Sequence, residues 1–173
     1  MLDSQKETGI YGSFGAEENC TREQMITFLW RAVGKPEPQG TTSHFADVKP
    51  GDYYFKAVLW AEENGITKGY TSGPYAGKFG VGLTVTREDT VTFIYRTAKY
   101  EGFDTKVTSG DKAQYSFTDV TTGYFVDPIV WAAKNGITKG YTSGPNKGKF
   151  GVGFDVLRKD IITFLYRYDE NVR

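Results

Sequence analysis

Three arginines sit beside the features most able to hold an anion. Thr21-Arg22-Glu23-Gln24, Thr86-Arg87-Glu88-Asp89 and Leu157-Arg158-Lys159-Asp160 each precede an apolar stripe of helical spacing, Met25/Phe28/Leu29 in the first case and Val91/Ile94/Tyr95 in the second. A helix that starts there points its positive dipole end and its first N–H groups outward, next to a guanidinium with planar donor geometry for a carboxylate. The competing reading of the same arginines is ion pairing with neighbouring acids. Thr21 and Thr86 suit the cap position, and Gln24 can answer Thr21. In the third segment Leu157 replaces the capping Thr and Lys159 replaces Glu, which leaves Asp155 as the expected cap.

Other chemistry is scarce. The 173 residues include one Cys, Cys20, and one His, His44, which excludes an internal disulfide framework and leaves little for a Cys/His metal site or a His-centred triad. The pairs Glu17/Glu18 and Glu62/Glu63 are chain neighbours that diverge on a helix, a poor arrangement for glycosidase work. No phosphate loop, dinucleotide fingerprint or zinc finger occurs. We therefore expect a non-enzymatic protein without cofactors. Lys and Arg number 21, as do Asp and Glu, so there is no bulk charge to draw the chain to nucleic acid or an anionic bilayer. No apolar run approaches a membrane span, and the first residues lack the apolar centre of a secretory signal.

The elements that carry these arginines repeat. Residues 65–96 align without a gap on 136–167, with 23 of 32 positions identical. Upstream, Phe45-Ala46-Asp47-Val48 and Trp60-Ala61 answer Phe117-Thr118-Asp119-Val120 and Trp131-Ala132. A shorter copy opens the chain, from Gly9-Ile10 to Arg31. The units read as 1–34 (truncated), 45–98 and 117–168 within one domain, joined by Gly34–Gly40 and by linker chemistry at Ser109-Gly110-Asp111-Lys112. Each full unit parses as helix, Gly-rich loop, helix. The first helix runs from about Tyr53 to Asn64, with its counterpart from about Pro128 to a stop at Gly136; the loop, around Ser72-Gly73-Pro74, is turn-rich or a short hairpin. Twelve Tyr, twelve Phe and three Trp supply rings for a core that such short helices can close only by packing copy against copy. The fold expected is mainly α and pseudo-threefold.

Phe-x-Asp-Val, a helix ending Trp-Ala-x-x-x-Gly-Ile-Thr, a loop containing Gly-Lys-Phe and a Thr-Arg-Glu helix ending Tyr-Arg together resemble S-layer homology repeats. The resemblance implies a three-pronged domain that attaches exported bacterial proteins to a cell-wall polysaccharide, often one bearing a pyruvylated amino sugar. It implies an extracellular location at the cell surface and marks Arg22, Arg87 and Arg158 as ligand contacts. Asp47 and Asp119 take a groove position in that family or, on local grounds, serve as turn aspartates; Trp60 and Trp131 are groove or core residues. Gly69 and Gly140 belong to loops that approach the sugar. On this reading one groove joins Arg22 to the Asp47 region and a second joins Arg87 to the Asp119 region, while the third is open.

Arg31, Arg96 and Arg167 read as partners of helix C-terminal dipoles, Cys20 as a small buried hydrophobe in line with Val85 and Val156, and His44 as solvated. Lys68 and Lys139 stand beside the loops. The missing half-repeat suggests a piece of a longer exported chain. The rival function is a protein-interaction module that self-associates through the incomplete first repeat.

Overall fold

The computed structural model describes residues 15–173. Among them are six helices: α1 (Arg22–Ala32), α2 (Phe55–Glu63), α3 (Arg87–Tyr100), α4 (Ser109–Gln114), α5 (Val126–Lys134) and α6 (Arg158–Asn171). The repeats set the pattern, since α1, α3 and α6 are the arginine-led helices and α2 and α5 the tryptophan helices. α1 packs on α2 and α3 on α5, and α3 also touches both α1 and α6. The mainly helical architecture expected from the repeats is present.

A ring of main-chain hydrogen bonds joins the copies. Val85 N–H donates to Cys20 O at 2.9 Å, Val156 N–H to Val85 O at 3.2 Å, and Cys20 N–H to Val156 O at 2.9 Å, closing the circle. The three side chains are fully buried at its centre. Two residues further along, Arg22 N–H donates to Leu83 O, Arg87 N–H to Phe154 O and Arg158 N–H to Glu18 O, all at 2.9 Å. The residues before each arginine are extended because they serve this ring, and the chain turns helical only after it.

Two of the three junctions carry a further clamp. Glu23 accepts Gly82 N–H at 3.0 Å and Glu88 accepts Gly153 N–H at 2.9 Å, each carboxylate reaching the next copy. At the third junction Lys159 stands in their place and pairs with Glu17. Thr86 Oγ1 caps α3 through Asp89 N–H at 3.4 Å, and Gln24 Oε1 accepts Thr21 N–H at 3.1 Å. Leu157 gives α6 no side-chain cap, and Asp155 does not act as the substitute: its carboxylate accepts the Thr84 hydroxyl at 2.7 Å.

α2 and α5 end in matching fashion. Asn64 and Asn135 side-chain amides donate to Trp60 O and Trp131 O at 2.8 Å, and Gly65 and Gly136 then take positive φ. α5 starts at Val126, so Pro128 occupies its third position, where it needs no intrahelical donor. The Gly-rich loop is closed by Tyr70 N–H to Lys78 O at 2.8 Å and Gly77 N–H to Tyr70 O at 2.9 Å around a single 3₁₀ turn, Gly73–Tyr75, so it forms no extended strand. The Ser109–Lys112 stretch, expected as linker, is helix α4. Thr108 and Asp111 cap it reciprocally, Thr108 Oγ1 taking Asp111 N–H at 3.1 Å and Asp111 taking Thr108 N–H at 2.9 Å.

Candidate functional site: two clefts between repeats

Arg22 leaves the start of α1 and runs across the following repeat. Its Nε donates to Phe79 O at 2.9 Å, and its guanidinium carbon lies 4.8 Å from the Tyr70 ring centre, 5.3 Å from Phe79 and 5.2 Å from Phe93. Stacked rings and a carbonyl hold the plane of the group, so its outer edge has a fixed direction. Arg87 repeats the arrangement one copy on: Nε donates to Phe150 O at 2.9 Å, with Tyr141, Phe150 and Phe164 at 5.0, 5.1 and 5.3 Å.

Each arginine forms one wall of a cleft. The first, about 380 Å³, is lined by Arg22, Gly69, Tyr70, Asp89, Arg96 and Tyr124. The second, about 340 Å³, is lined by Arg87, Lys139, Gly140, Tyr141, Asp160 and Arg167. Both lie in the size range of small-ligand sites. Gly69 (φ 59°) and Gly140 (φ 62°) form the floor, and the approach there is close: a Cβ on Gly69 would stand 2.5 Å from both Lys78 O and the Phe45 ring.

The two clefts differ in what faces the arginine. In the first, Arg22 Nη1 is paired with Asp89 Oδ2, and Asp89 Oδ1 accepts the Tyr124 hydroxyl at 2.5 Å. Three copies therefore meet over one carboxylate. In the second, no ion pair or hydrogen bond occupies the outer edge of Arg87 among the described residues, although Asp160 lines the same cleft. Burial pulls the Arg87 pKa below its usual value, and Tyr141 and Asp160 pull it back. A guanidinium stays charged under such shifts, so the second cleft presents a cation edge without a direct ion-pair partner, with Arg167, Lys139 and the carboxylate of Asp160 in the same lining.

Asp47 and Asp119 stand behind the clefts, not along them. Asp47 accepts the N–H groups of Phe79, Gly80 and Val81, each at 2.8 Å; Asp119 accepts those of Phe150 and Gly151 at 2.8 Å and Val152 at 2.9 Å. Burial acts to raise both pKa values, but the three main-chain donors outweigh it and hold them below the ordinary carboxylate range. Their role is positional: the clamped loop presents the Phe79 and Phe150 carbonyls that fix Arg22 and Arg87.

Trp60 and Trp131 are buried in the helix pairs and line neither cleft. Arg158 is also buried, with its guanidinium 5.4 Å from the Phe28 ring. The first N–H of α1, α3 and α6 is not the open donor expected there, because it serves the ring. Arg96 and Arg167 depart from their expected place at their own helix ends. They line the clefts and donate to Ile66 O at 3.0 Å and Ile137 O at 3.2 Å, in the loops following α2 and α5. His44 is exposed yet contacts Glu62 at 2.8 Å through Nδ1.

Sequence reasoning passed over Tyr70/Tyr141, Asp89/Asp160 and Tyr124. The first two pairs are identical in the aligned copies, which marked them as useful without separating a cleft wall from a core. Tyr124 carried no signal, because its contact lies in another repeat.

The fold and its clefts define a helical repeat module that presents arginines between copies. Residues 44–91 and 116–147 match the family model of the S-layer homology domain. The Surface-layer 125 kDa protein of Lysinibacillus sphaericus is 24% identical over 161 residues, 93% of this chain. This chain spans 13% of that relative's length. The matched stretches of the second and third repeats are similar to the S-layer homology domain, a family whose general role is cell-wall anchoring. Among the described residues no helix is long and apolar enough to cross a membrane.

Proposed function

We propose that the chain is a non-catalytic anchoring module of a cell-surface protein that grips an acidic cell-wall polysaccharide in the clefts between its repeats. The observation that carries this reading is internal. In the first cleft a carboxylate, Asp89, already sits on the arginine edge, capped by a tyrosine hydroxyl. In the second, the same edge of Arg87 has no direct partner, although Asp160, the counterpart of Asp89, lines the cleft with Lys139 and Arg167 as Lys68 and Arg96 line the first. A saccharide carboxylate, such as the ketal of a pyruvylated amino sugar, fits there as Asp89 fits the first cleft. Tyr141 offers a ring and Gly140 bare backbone to the sugar itself.

The test is sedimentation with purified wall polysaccharide, before and after mild acid removal of ketal groups. Arg87→Ala should weaken binding by about 1–3 kcal/mol, the scale of a charge-assisted hydrogen bond. Arg87→Lys should recover little, since an ammonium lacks the planar fork. Equal binding by wild type and Arg87→Ala would remove the assignment.

A second reading has its own observation. Ile162 and Tyr166 on α6 are 42% and 63% exposed, whereas Val91, the counterpart of Ile162 on α3, is fully buried against the core. An apolar helix face left open at that position favours self-association. Sedimentation velocity decides it: a dimer that Tyr166→Lys returns to monomer supports the reading, and a monomer at high concentration ends it.

A further inference from the structure

Two of the five asparagines are followed by glycine, and both pairs, Asn64-Gly65 and Asn135-Gly136, close a tryptophan helix. An asparagine in front of a glycine carries an intrinsic reaction, because no side chain on the next residue hinders attack by its main-chain nitrogen on the asparagine amide carbon. The fold occupies both reacting groups. The Asn64 side-chain amide donates to Trp60 O at 2.8 Å and Gly65 N–H to Glu62 O at 3.1 Å; the Asn135 amide donates to Trp131 O at 2.8 Å and Gly136 N–H to Ala133 O at 3.1 Å. A ring between Cγ and the glycine nitrogen therefore closes only when the last helical turn opens.

The two helix ends are not held alike. The end of α5 is tied to α6: Asn171 Nδ2 donates to Asn135 O at 3.0 Å and would stand 3.1 Å from a Cβ on Gly136. Asn135 is half-buried, whereas Asn64 is exposed. Among the described residues no hydrogen bond reaches Asn64 O, and nothing lies within 4 Å of a Cβ on Gly65. Tyr100, at the position of Asn171 in the aligned copy, packs its ring edge to face on Trp60 at 5.4 Å instead. The last turn of α2 thus opens at lower cost than that of α5.

We propose that Asn64-Gly65 is a site of spontaneous deamidation in the folded chain, well ahead of Asn135-Gly136. The Gly65 nitrogen bonds to Asn64 Cγ, the Cγ–Nδ2 bond breaks, and the amide leaves as ammonia with the proton from the glycine nitrogen. Water then opens the five-membered imide at either carbonyl, giving aspartate or isoaspartate, so that one water is taken up for each ammonia released. The product lacks the donor that caps Trp60 O and puts a carboxylate at the negative end of α2. It follows Glu62 and Glu63, whose oxygens already serve Ser43, His44, Gln39 and Gly40; the residue before Asn135 is Lys134. α2 packs on α1, and the chain beyond Gly65 runs into Thr67–Gly69 of the first cleft, so the change loosens the first junction and spares the second. The inference stands whether or not either cleft binds a glycan.

The experiment holds the full chain folded at mildly alkaline pH and follows each asparagine by peptide mass spectrometry, with enzymatic methylation to count isoaspartate. Conversion at Asn64 should run at least fivefold faster than at Asn135 in the native chain, and the two rates should become nearly equal in urea. Asn171→Ala should raise the Asn135 rate at least threefold and leave the Asn64 rate unchanged. Equal native rates, a ratio that persists in urea, or an Asn135 rate unmoved by Asn171→Ala each overturns the proposal, because the fold would then not be selecting the site. Asn64→Asp should lower the urea midpoint more than Asn135→Asp does, and equal midpoints overturn the loosening of α2.

Discussion

The Tyr124 hydroxyl donates to Asp89 Oδ1 at 2.5 Å, while the other oxygen of that carboxylate is held by Arg22. Burial first, and then the charge of Asp89, raise the Tyr124 pKa, so the hydroxyl stays a donor throughout the physiological range. The first cleft thus contains its own carboxylate, locked by residues from the copies on either side. Asp89→Asn removes the charge and frees the Arg22 edge. Its expected effect is a gain in wall-polysaccharide affinity of about 1–3 kcal/mol, roughly fivefold to 150-fold, the scale of one charge-assisted bond, read by titration calorimetry. Unchanged or weaker binding would mean that the first cleft plays no part.

Gly69 and Gly140 combine positive φ with backbone contact, whereas Gly73 has positive φ with open space around it. A Cβ at Gly140 would lie 2.5 Å from the Phe117 ring and 2.6 Å from Lys149 O; at Gly73 nothing lies within 4 Å. Gly140→Ala therefore carries backbone strain and overpacking, about 2–4 kcal/mol together, against about 1 kcal/mol for Gly73→Ala. Urea unfolding of the two variants measures the difference. Similar losses would show that the loop around residue 140 can shift freely, and the rigid cleft floor would go with it.

The internal repeat made the arginines, the helix starts and the place of Cys20 legible in the sequence, because each is a position where aligned copies agree. What stayed illegible depends on contacts between copies. Asp47 and Asp119 read equally well as groove or turn residues; only the folded chain shows three N–H groups converging on each. α4 was missed because Thr108 and Asp111 form their capping pair in a stretch whose Ser and Gly suggest linker. Tyr124 belongs to the first cleft because α3 packs on α5, which places the residue just before one copy's tryptophan helix beside the arginine-led helix of another.

Those clamped carboxylates give the fold an acid limit. Asp47 and Asp119 have pKa values below the ordinary carboxylate range in the folded chain, so on acidification the unfolded chain binds protons first. Their contribution is complete above the unfolded carboxylate pKa, about 4, and is lost as pH falls toward the folded values. Stability to urea should be level from about pH 7 to 5 and fall below about pH 4. In Asp47→Asn/Asp119→Asn the fall should be shallower and the starting stability lower. An acid limb equally steep in the double variant would assign it to other carboxylates.

Cys20 stands in the ring where the other copies place Val85 and Val156, and its only side-chain hydrogen bond is a weak one to Thr21 O at 3.5 Å. Burial pushes its pKa up to about 12, with the nearby Arg158 charge pulling the other way. At pH 8 the thiolate is then about one part in ten thousand, and the sulfur is also shielded from solvent. Two results follow from the same geometry. Cys20→Val should change stability by less than about 1.5 kcal/mol, because the swap conserves volume and matches the neighbouring copies. Alkylation of the native chain by iodoacetamide should proceed at the rate of opening of the ring, slowing wherever Asp47 and Asp119 keep it stable and accelerating on the acid side only after correction for the thiolate fraction. Rapid stoichiometric alkylation of the folded chain at pH 8 would show that the copies separate readily at the axis, and the fixed clefts built on that ring would not hold.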